Sequence, residues 1–106
     1  AGLSMGGMQT RSITTANPGK FSYIGMFSGG TMTPADVKDM DTFKKNVKLV
    51  FMSFGSKEGG AARLQAAADE WNKTGIKGVT YVSPGTAHEW QTWRRSLYQF
   101  AQLLFK

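Results

Sequence analysis

The sequence of 106 residues contains no cysteine. A chain without thiols has neither a disulfide framework nor a thiolate metal site, and it is compatible with any redox compartment. Long apolar stretches are also missing: no run approaches the roughly 20 residues that a membrane-spanning helix needs. No basic segment followed by an apolar core resembles a signal peptide. The sequence therefore predicts no contact with a membrane.

Acidic residues are few, since 7 Asp and Glu stand against 13 Lys and Arg, which gives a net charge of +6. A basic excess is found in nucleic-acid-binding proteins, among other classes. Here the basic residues are scattered, with no run longer than two and no nucleic-acid-binding motif beside them. We interpret them as solvated surface and predict no nucleic-acid partner. A small basic nucleic-acid-binding domain stays as an alternative, which salt-dependent retention on an anionic column would favour.

What the chain does contain is a globular composition, 41% hydrophobic and 12% aromatic, of a length suited to one small domain. Strand and helix signals alternate along it, which is typical of a parallel α/β sheet. We predict one domain over residues 1–106 with about three parallel strands alternating with helices. The predicted strands are 21–27, 48–54 and 79–82, and the predicted helices are 5–16, 59–74 and 90–105, with one or two helical turns within 36–46.

Two of these predicted helices carry apolar residues at helical spacing, and we expect both stripes to face the sheet. The stripe of the helix at 59–74 consists of Leu64, Ala67, Ala68 and Trp71. The stripe of the last helix consists of Trp90, Trp93, Leu97, Phe100, Ala101 and Leu104.

The segment Gly2-Leu3-Ser4-Met5-Gly6 fits the pattern G-x-S-x-G of a nucleophile elbow. In such an elbow the chain turns sharply from a strand into a helix, so that the serine backbone is strained and its hydroxyl group is exposed. The flanking glycines allow neighbouring segments of the chain to approach the turn closely. The backbone N–H of Met5 would be one donor of an oxyanion hole. The alternative is a glycine-rich turn with an incidental serine, because a chain with 13 glycines can match the pattern by chance.

An elbow requires a strand before it, and only Ala1 precedes Gly2. We therefore expect a fragment or processed product of a longer protein, with the feeding strand and the loop for a second oxyanion donor upstream. Such a fragment would have an open sheet edge. We expect that edge to associate with the upstream part of the same domain or with a second copy.

His88, the only histidine, lies in the predicted loop after the last strand. The chain order of this fold is Ser, then acid, then His, which places the base late. A lone histidine can also be a surface or packing residue. Glu58 follows the strand at 48–54 and would accept the imidazole Nδ1 hydrogen, although it can also be a solvated residue near a helix N-terminus. Poorer candidates, by their positions in helices, before the strand or next to the histidine, are Asp36, Asp39, Asp41, Asp69, Glu70 and Glu89.

The chain resembles, from the elbow onward, the feruloyl esterases of carbohydrate esterase family 1. These are α/β-hydrolases related to the esterase D and enterochelin esterase group. The resemblance extends over essentially the whole chain, and many hydrolases share the elbow. The segments that carry it are 1–7, 20–25 and 85–90, and the more specific part is His88 followed by Trp90, Trp93, Arg94, Leu97 and Phe100.

The resemblance implies that the protein hydrolyses ferulate or acetate esters on plant cell-wall xylan through an acyl-enzyme, without a metal or another cofactor, and that it is secreted or periplasmic. It implies the triad Ser4, Glu58 and His88. Many members have Asp at the position of Glu58. Because glutamate is longer by one methylene group, the loop would have to place the backbone of Glu58 farther from His88. Trp90 would line the acyl pocket, or else anchor the last helix in the core. A non-catalytic binding module, or an inactive fragment, is the alternative function.

Overall fold

A computed structural model describes residues 1–105. The strands and helices alternate along the chain, and short 3₁₀ turns at Pro34–Asp36 and Gly59–Arg63 precede the second and third helices. In chain order the elements are β1 (Gly2–Leu3), α1 (Met5–Ala16), β2 (Tyr23–Phe27), α2 (Met40–Asn46), β3 (Leu49–Gly55), α3 (Leu64–Thr74), β4 (Lys77–Ser83) and α4 (Trp90–Ala101).

The four strands form one parallel sheet in the order β1-β2-β3-β4. The predicted α/β architecture is thus confirmed, but the expected number of three strands is too low by one. The additional strand is β1, whose residues Gly2 and Leu3 pair with Met26 and Phe27. Two residues are too few for a hydrophobic pattern, so only the pairing with β2 identifies this strand. The elbow therefore has a short strand before it.

The face of the sheet that packs against α2 and α3, here called the α3 face, holds the larger core. Its strand residues include Ile24, Met26, Val50 and Met52, all buried. The predicted stripe of α3 is confirmed, since all four of its members are buried. The helix ends at Gly75, whose φ of 92° is the left-handed conformation that glycine adopts at helix C-termini.

The opposite face, here called the α4 face, is covered by α4 and has a smaller core around Phe27, Leu49, Phe51 and Phe100. The predicted stripe of α4 is confirmed for half of its members. Phe100 is buried, and Trp93 and Leu104 are partly buried against this core, whereas Trp90, Leu97 and Ala101 are exposed. The other buried residues of the helix are Thr92 and Ser96.

Hydroxyl groups explain this difference, because α4 approaches the sheet through hydrogen bonds rather than through an apolar stripe. Ser96 Oγ lies 2.7 Å from the Oγ of Ser53 in β3, and Thr92 Oγ1 lies 2.7 Å from Thr86 Oγ1. Small side chains on this side let the helix lie close to the sheet. The helix ends at Ala101, four residues before its predicted end. No helix within residues 1–105 is long and apolar enough to cross a membrane.

Candidate active site

Ser4 occupies a sharp turn between β1 and α1, as the elbow motif predicts. Its φ of 56° and ψ of −125° are rare for a residue with a side chain, and such backbone strain costs about 1–3 kcal/mol. The Ser4 N–H donates to the carbonyl of Phe27 at 2.8 Å, which fixes the turn to the end of β2. The serine hydroxyl is thereby held at the carboxyl edge of the parallel sheet.

Two glycines make this turn possible. A Cβ on Gly2 would overlap the carbonyl group of Gly6, and a Cβ on Gly7 would lie 2.8 Å from the Cα of Gly29. Gly6, the second glycine of the motif, has open space around its Cβ position. The close approaches therefore require Gly2 and Gly7, and the latter brings α1 against the loop after β2.

Met5 is the first residue of α1, directly after Ser4. The N–H groups of a first helical turn have no acceptor within the helix and lie at its positive end. The Met5 N–H is therefore suited to stabilise negative charge that develops next to the Ser4 hydroxyl. The role of Met5 as an oxyanion-hole donor stays a prediction.

The loops that follow β3 and β4 are tied to each other by three hydrogen bonds. Ser56 N–H donates to the Ser83 carbonyl at 2.8 Å, Lys57 N–H to the Thr86 carbonyl at 2.9 Å, and Gly85 N–H to Ser56 Oγ at 2.8 Å. One loop carries Glu58 and the other His88. These bonds therefore fix the relative positions of the predicted acid and the predicted base.

The structure brings the three predicted residues together. His88 Nε2 lies 2.7 Å from Ser4 Oγ, and His88 Nδ1 lies 2.8 Å from Glu58 Oε1. An ionised carboxylate only accepts hydrogen bonds, so Nδ1 carries a proton, and Nε2 of the neutral ring is left to accept the Ser4 hydroxyl proton. The side chain of His88 is 50% exposed and that of Glu58 10%, so solvent and substrate reach the base while the acid is shielded.

Glu58 is held by further donors on its second oxygen. The N–H of Gly55 and the hydroxyl of Ser28 both lie 2.7 Å from Oε2. Burial of this carboxyl raises its pKa, but the hydrogen bonds to its charged form, including that from His88, outweigh burial. The pKa of Glu58 therefore lies below its ordinary value, and the side chain is ionised at neutral pH.

Five of the other six acidic candidates bond elsewhere, and the sixth, Asp41, lies in the first turn of α2. The carboxylates of Asp36 and Asp39 cap short helical segments, and Asp39 owes its lowered pKa first to the Thr42 side chain. Glu89 accepts from the N–H of Ala87 at 3.1 Å rather than from the neighbouring histidine. Asp69 bonds Gln65, and Glu70 pairs with Lys73. Among the carboxylates of residues 1–105, only that of Glu58 accepts a hydrogen bond from His88.

An open apolar groove of about 590 Å³ is lined by Leu3, which precedes Ser4 in the chain, and by Trp93, which contacts His88. Trp93 stands perpendicular to the His88 ring with centroids 5.1 Å apart, and Trp90 stands nearly perpendicular to Trp93 at 5.2 Å. Trp90 is 73% exposed, so the alternative that it anchors α4 in the core is wrong. The groove is lined by Leu3, Phe27, Trp90, Gln91, Trp93, Arg94 and Leu97.

Comparison with known proteins identifies a relative of this chain. The chain is 45% identical over all of its 106 residues to part of a protein of Xylanibacter ruminicola named endo-1,4-beta-xylanase/feruloyl esterase. The chain is related to a segment of that protein. It spans only 14% of the relative's length. No protein-family model matches the chain.

The sequence analysis did not predict the hydrogen bonds that two residues, Ser28 and Trp93, form at this site. Ser28 bonds Glu58, and the indole N–H of Trp93, which was assigned to an apolar stripe, donates to Ser28 Oγ at 3.0 Å. The position of Ser28 directly after a predicted strand could have indicated it, because the carboxyl ends of parallel strands share one edge. Within residues 1–105 no group of three or more potential metal ligands is present.

Proposed function

We propose that this chain carries the catalytic triad of a serine carboxylesterase of the feruloyl esterase type on an α/β-hydrolase domain. The observation that carries the proposal is the continuous hydrogen-bonded series from Ser4 through His88 to Glu58. Its three members come from three separate loops at one edge of a parallel sheet. A series of nucleophile, base and acid in this order is the recurring arrangement of acyl-transfer enzymes.

The reaction follows from the positions of these atoms. Ser4 Oγ attacks the ester carbonyl carbon while His88 Nε2 takes the hydroxyl proton, and Glu58 stabilises the imidazolium. The Met5 N–H donates to the oxyanion of the tetrahedral intermediate. The imidazolium then protonates the leaving alkoxide, and the sugar hydroxyl departs. Water, deprotonated by His88, attacks the acyl-enzyme in the same way, releasing the acid and restoring Ser4.

The groove favours an aromatic acyl group over acetate. The exposed indole of Trp90 and the ring of Trp93 lead away from His88, and aromatic rings packed edge to face or offset gain about 0.5–1.5 kcal/mol beyond their buried area. The phenolic ring of a ferulate ester would contact Trp90, whereas an acetyl group is too short to reach it. The name of the relative, endo-1,4-beta-xylanase/feruloyl esterase, agrees with ferulate on xylan as the substrate.

The first test is the intact mass of the chain after reaction with a fluorophosphonate probe, for wild type and for Ser4→Ala. We expect one adduct on the wild type and none on the variant, because only an activated serine reacts. The matched control is Ser12→Ala, which removes another exposed serine of α1 and should leave labelling unchanged. Methyl ferulate and acetylated xylan then identify the ester, and Trp90→Ala should raise KM for the ferulate ester alone.

A folded wild-type chain that forms no adduct would contradict the proposal for this chain. Its circular dichroism must first show that the α/β fold is present. That result would favour the alternative of a binding module on a hydrolase scaffold. An adduct that persists in Ser4→Ala would instead place the nucleophile at another residue.

A further inference from the structure

Ser28 has an unusual backbone and lies at the centre of a small polar cluster beneath the triad. It follows β2 with a φ of 54°, in the left-handed region that residues with a side chain rarely adopt. Its N–H donates to the Ser53 carbonyl at 2.8 Å, and the residue is buried. Strain of this kind persists only where the surroundings fix it, and it is common at functional sites.

The direction of the hydrogen bonds at Ser28 is determined by its two neighbours. The indole Nε1–H of Trp93 can only donate, and the ionised carboxylate of Glu58 can only accept. The hydroxyl of Ser28 lies 3.0 Å from the first and 2.7 Å from the second. The Ser28 hydroxyl must therefore accept a hydrogen bond from Trp93 and donate one to Glu58 Oε2. Each bond polarises the next one, which strengthens both.

This arrangement separates the two oxygens of Glu58. Oε2 receives the Ser28 hydroxyl and the Gly55 N–H, and Oε1 faces His88 Nδ1. A glutamate has one more rotatable bond than an aspartate, so it needs more anchors to keep one oxygen on the imidazole. Gly55 is the last residue of β3, directly before the loop of Glu58, whereas Ser28 connects the carboxylate to the end of a different strand, β2.

Trp93 contacts both partners of the acid–base pair. Its N–H reaches the acid through Ser28, and its ring stands perpendicular to the imidazole of His88 at 5.1 Å. The side chain is partly buried and belongs to the cluster of the α4 face. Movement of α4 would therefore disturb the acid and the base together.

We propose that Ser28 and Trp93 are positioning residues that hold the Glu58 carboxylate against His88 Nδ1. They act through Glu58 and do not touch the substrate atoms that react. The catalytic purpose of this arrangement rests on the proposed esterase function. The arrangement itself can be measured without any turnover, which keeps the two proposals separately testable.

The first measurement is the tautomer of the neutral imidazole, read from the two ring ¹⁵N signals at alkaline pH. His88 is the only histidine, so these signals have one possible source in the untagged chain. Glu58 holds the proton on Nδ1, whereas a free neutral histidine side chain prefers Nε2–H. We expect the Nδ1–H form in the wild type, a mixture in Ser28→Ala and Trp93→Phe, and the Nε2–H form in Glu58→Ala.

The matched control is Thr14→Val, which also removes a buried hydroxyl, one that donates to the Thr10 carbonyl at 2.8 Å within α1 and makes no contact with α4 or the triad. It should leave the tautomer unchanged. A wild-type ring in the Nε2–H form, or a Ser28→Ala ring that keeps the wild-type tautomer, would overturn the proposal. Ser28→Gly removes the same hydroxyl and relaxes the positive φ, so it replaces Ser28→Ala if that variant does not fold.

The second measurement is a double-mutant cycle on kcat for methyl ferulate. Loss of a hydrogen bond to a charged group predicts about a tenfold fall in kcat for Ser28→Ala and a smaller fall, about threefold, for Trp93→Phe. In a Glu58→Ala background Ser28→Ala should change kcat less than about twofold, because its partner is absent. A tenfold fall in both backgrounds would show a general structural role and contradict the proposal.

Failure of the two proposals gives different results. If the chain hydrolyses no ester and takes up no fluorophosphonate, yet the Nδ1–H tautomer depends on Ser28 and Trp93, the positioning holds and the esterase function does not. If the chain is active and the His88 tautomer is the same in wild type and Ser28→Ala, the esterase function is supported and the positioning role of Ser28 is contradicted.

Discussion

The two faces of the sheet differ in what stabilises them. On the α3 face, helices α2 and α3 cover buried aliphatic and aromatic side chains, and Trp71 stacks on Phe43 with ring centroids 5.3 Å apart. On the α4 face, one helix contacts the sheet through the hydroxyls of Thr92 and Ser96 and through Phe100. Large apolar residues of that helix, Trp90 and Leu97 among them, remain exposed.

This difference corresponds to a division of roles. The α3 face is built for burial, which gives stability, while the α4 face carries His88 in the loop just before its helix and Trp93 in the first turn of that helix. A helix that is held by a few hydrogen bonds and one small core keeps an open groove beside the triad. A fully packed stripe would have closed that groove.

The largest expected effect is the loss of Trp71. Trp71→Ala removes a fully buried side chain and leaves the Met32 carbonyl without the indole N–H that now donates at 2.6 Å. We expect a loss of about 3–5 kcal/mol in the free energy of unfolding. Trp90→Ala deletes the same atoms from the α4 face and should cost about 0.5 kcal/mol or less. Urea denaturation of both variants measures the contrast, and similar losses would refute the division between the faces.

The next effect concerns pH, and it is specific to the α4 side. Glu58 has a pKa below its ordinary value, so its contribution to stability is present above the unfolded pKa and is lost as pH falls through the folded one. Glu58→Gln should cost about 1–2 kcal/mol at neutral pH. That difference from wild type should shrink as the pH is lowered through this window, in urea unfolding at several acid pH values. A difference that stays constant with pH would show that the charge of Glu58 is not the cause.

A pair of glycines gives a smaller and more selective test. Gly75 ends α3 with a φ of 92°, and Gly85 has a φ of 72° in the loop that leads to His88. Their substitution by alanine meets no close backbone atom but forces a side chain into the left-handed region, at about 1 kcal/mol in each case. Only Gly85→Ala should slow fluorophosphonate labelling of Ser4, because only that loop positions the base. Equal labelling rates would contradict this.

The sequence predicted much of the fold and the members of the candidate site. Helix α1 begins and ends at the predicted residues, Met5 and Ala16, because a glycine-rich turn precedes it and a proline follows. The motif around Ser4 and the chain order of Ser4, Glu58 and His88 were enough to name these three residues. The structure places them after β1, β3 and β4, whose carboxyl ends lie at one edge of the parallel sheet. Their catalytic roles remain predictions that the labelling experiment tests.

The orientation of α4 could not be predicted, and the reason is physical. Apolar periodicity indicates which side of a helix is able to pack. Helix α4 instead turns Thr92 and Ser96 inward, because their hydroxyl groups form hydrogen bonds with hydroxyl groups on β3 and in the loop after β4. Those partners are 43 and 6 residues distant in the chain. The hydrogen bond from Trp93 to Ser28 joins residues 65 positions apart, so local sequence patterns could not predict it either.

The smallest expected change in stability accompanies a change in association. Leu97 is 55% exposed in the groove next to β1, which is an edge strand of the sheet. Exposed apolar grooves and open strand edges favour association. We therefore propose that the open edge at β1 and the adjoining Leu97 contact another part of the same domain in a longer protein, or a second copy when the chain is alone. The unfolding midpoint of the chain should then rise with its concentration.

Leu97→Glu should abolish that concentration dependence while changing stability at low concentration by about 0.5 kcal/mol or less, because the side chain is already half in solvent. Ile13→Glu is the matched control, since Ile13 is 53% exposed on α1 and lies outside the groove. Sedimentation velocity over a range of concentrations separates the two variants. A wild-type chain that sediments as a monomer and has the same unfolding midpoint at every concentration would contradict self-association through the α4 face.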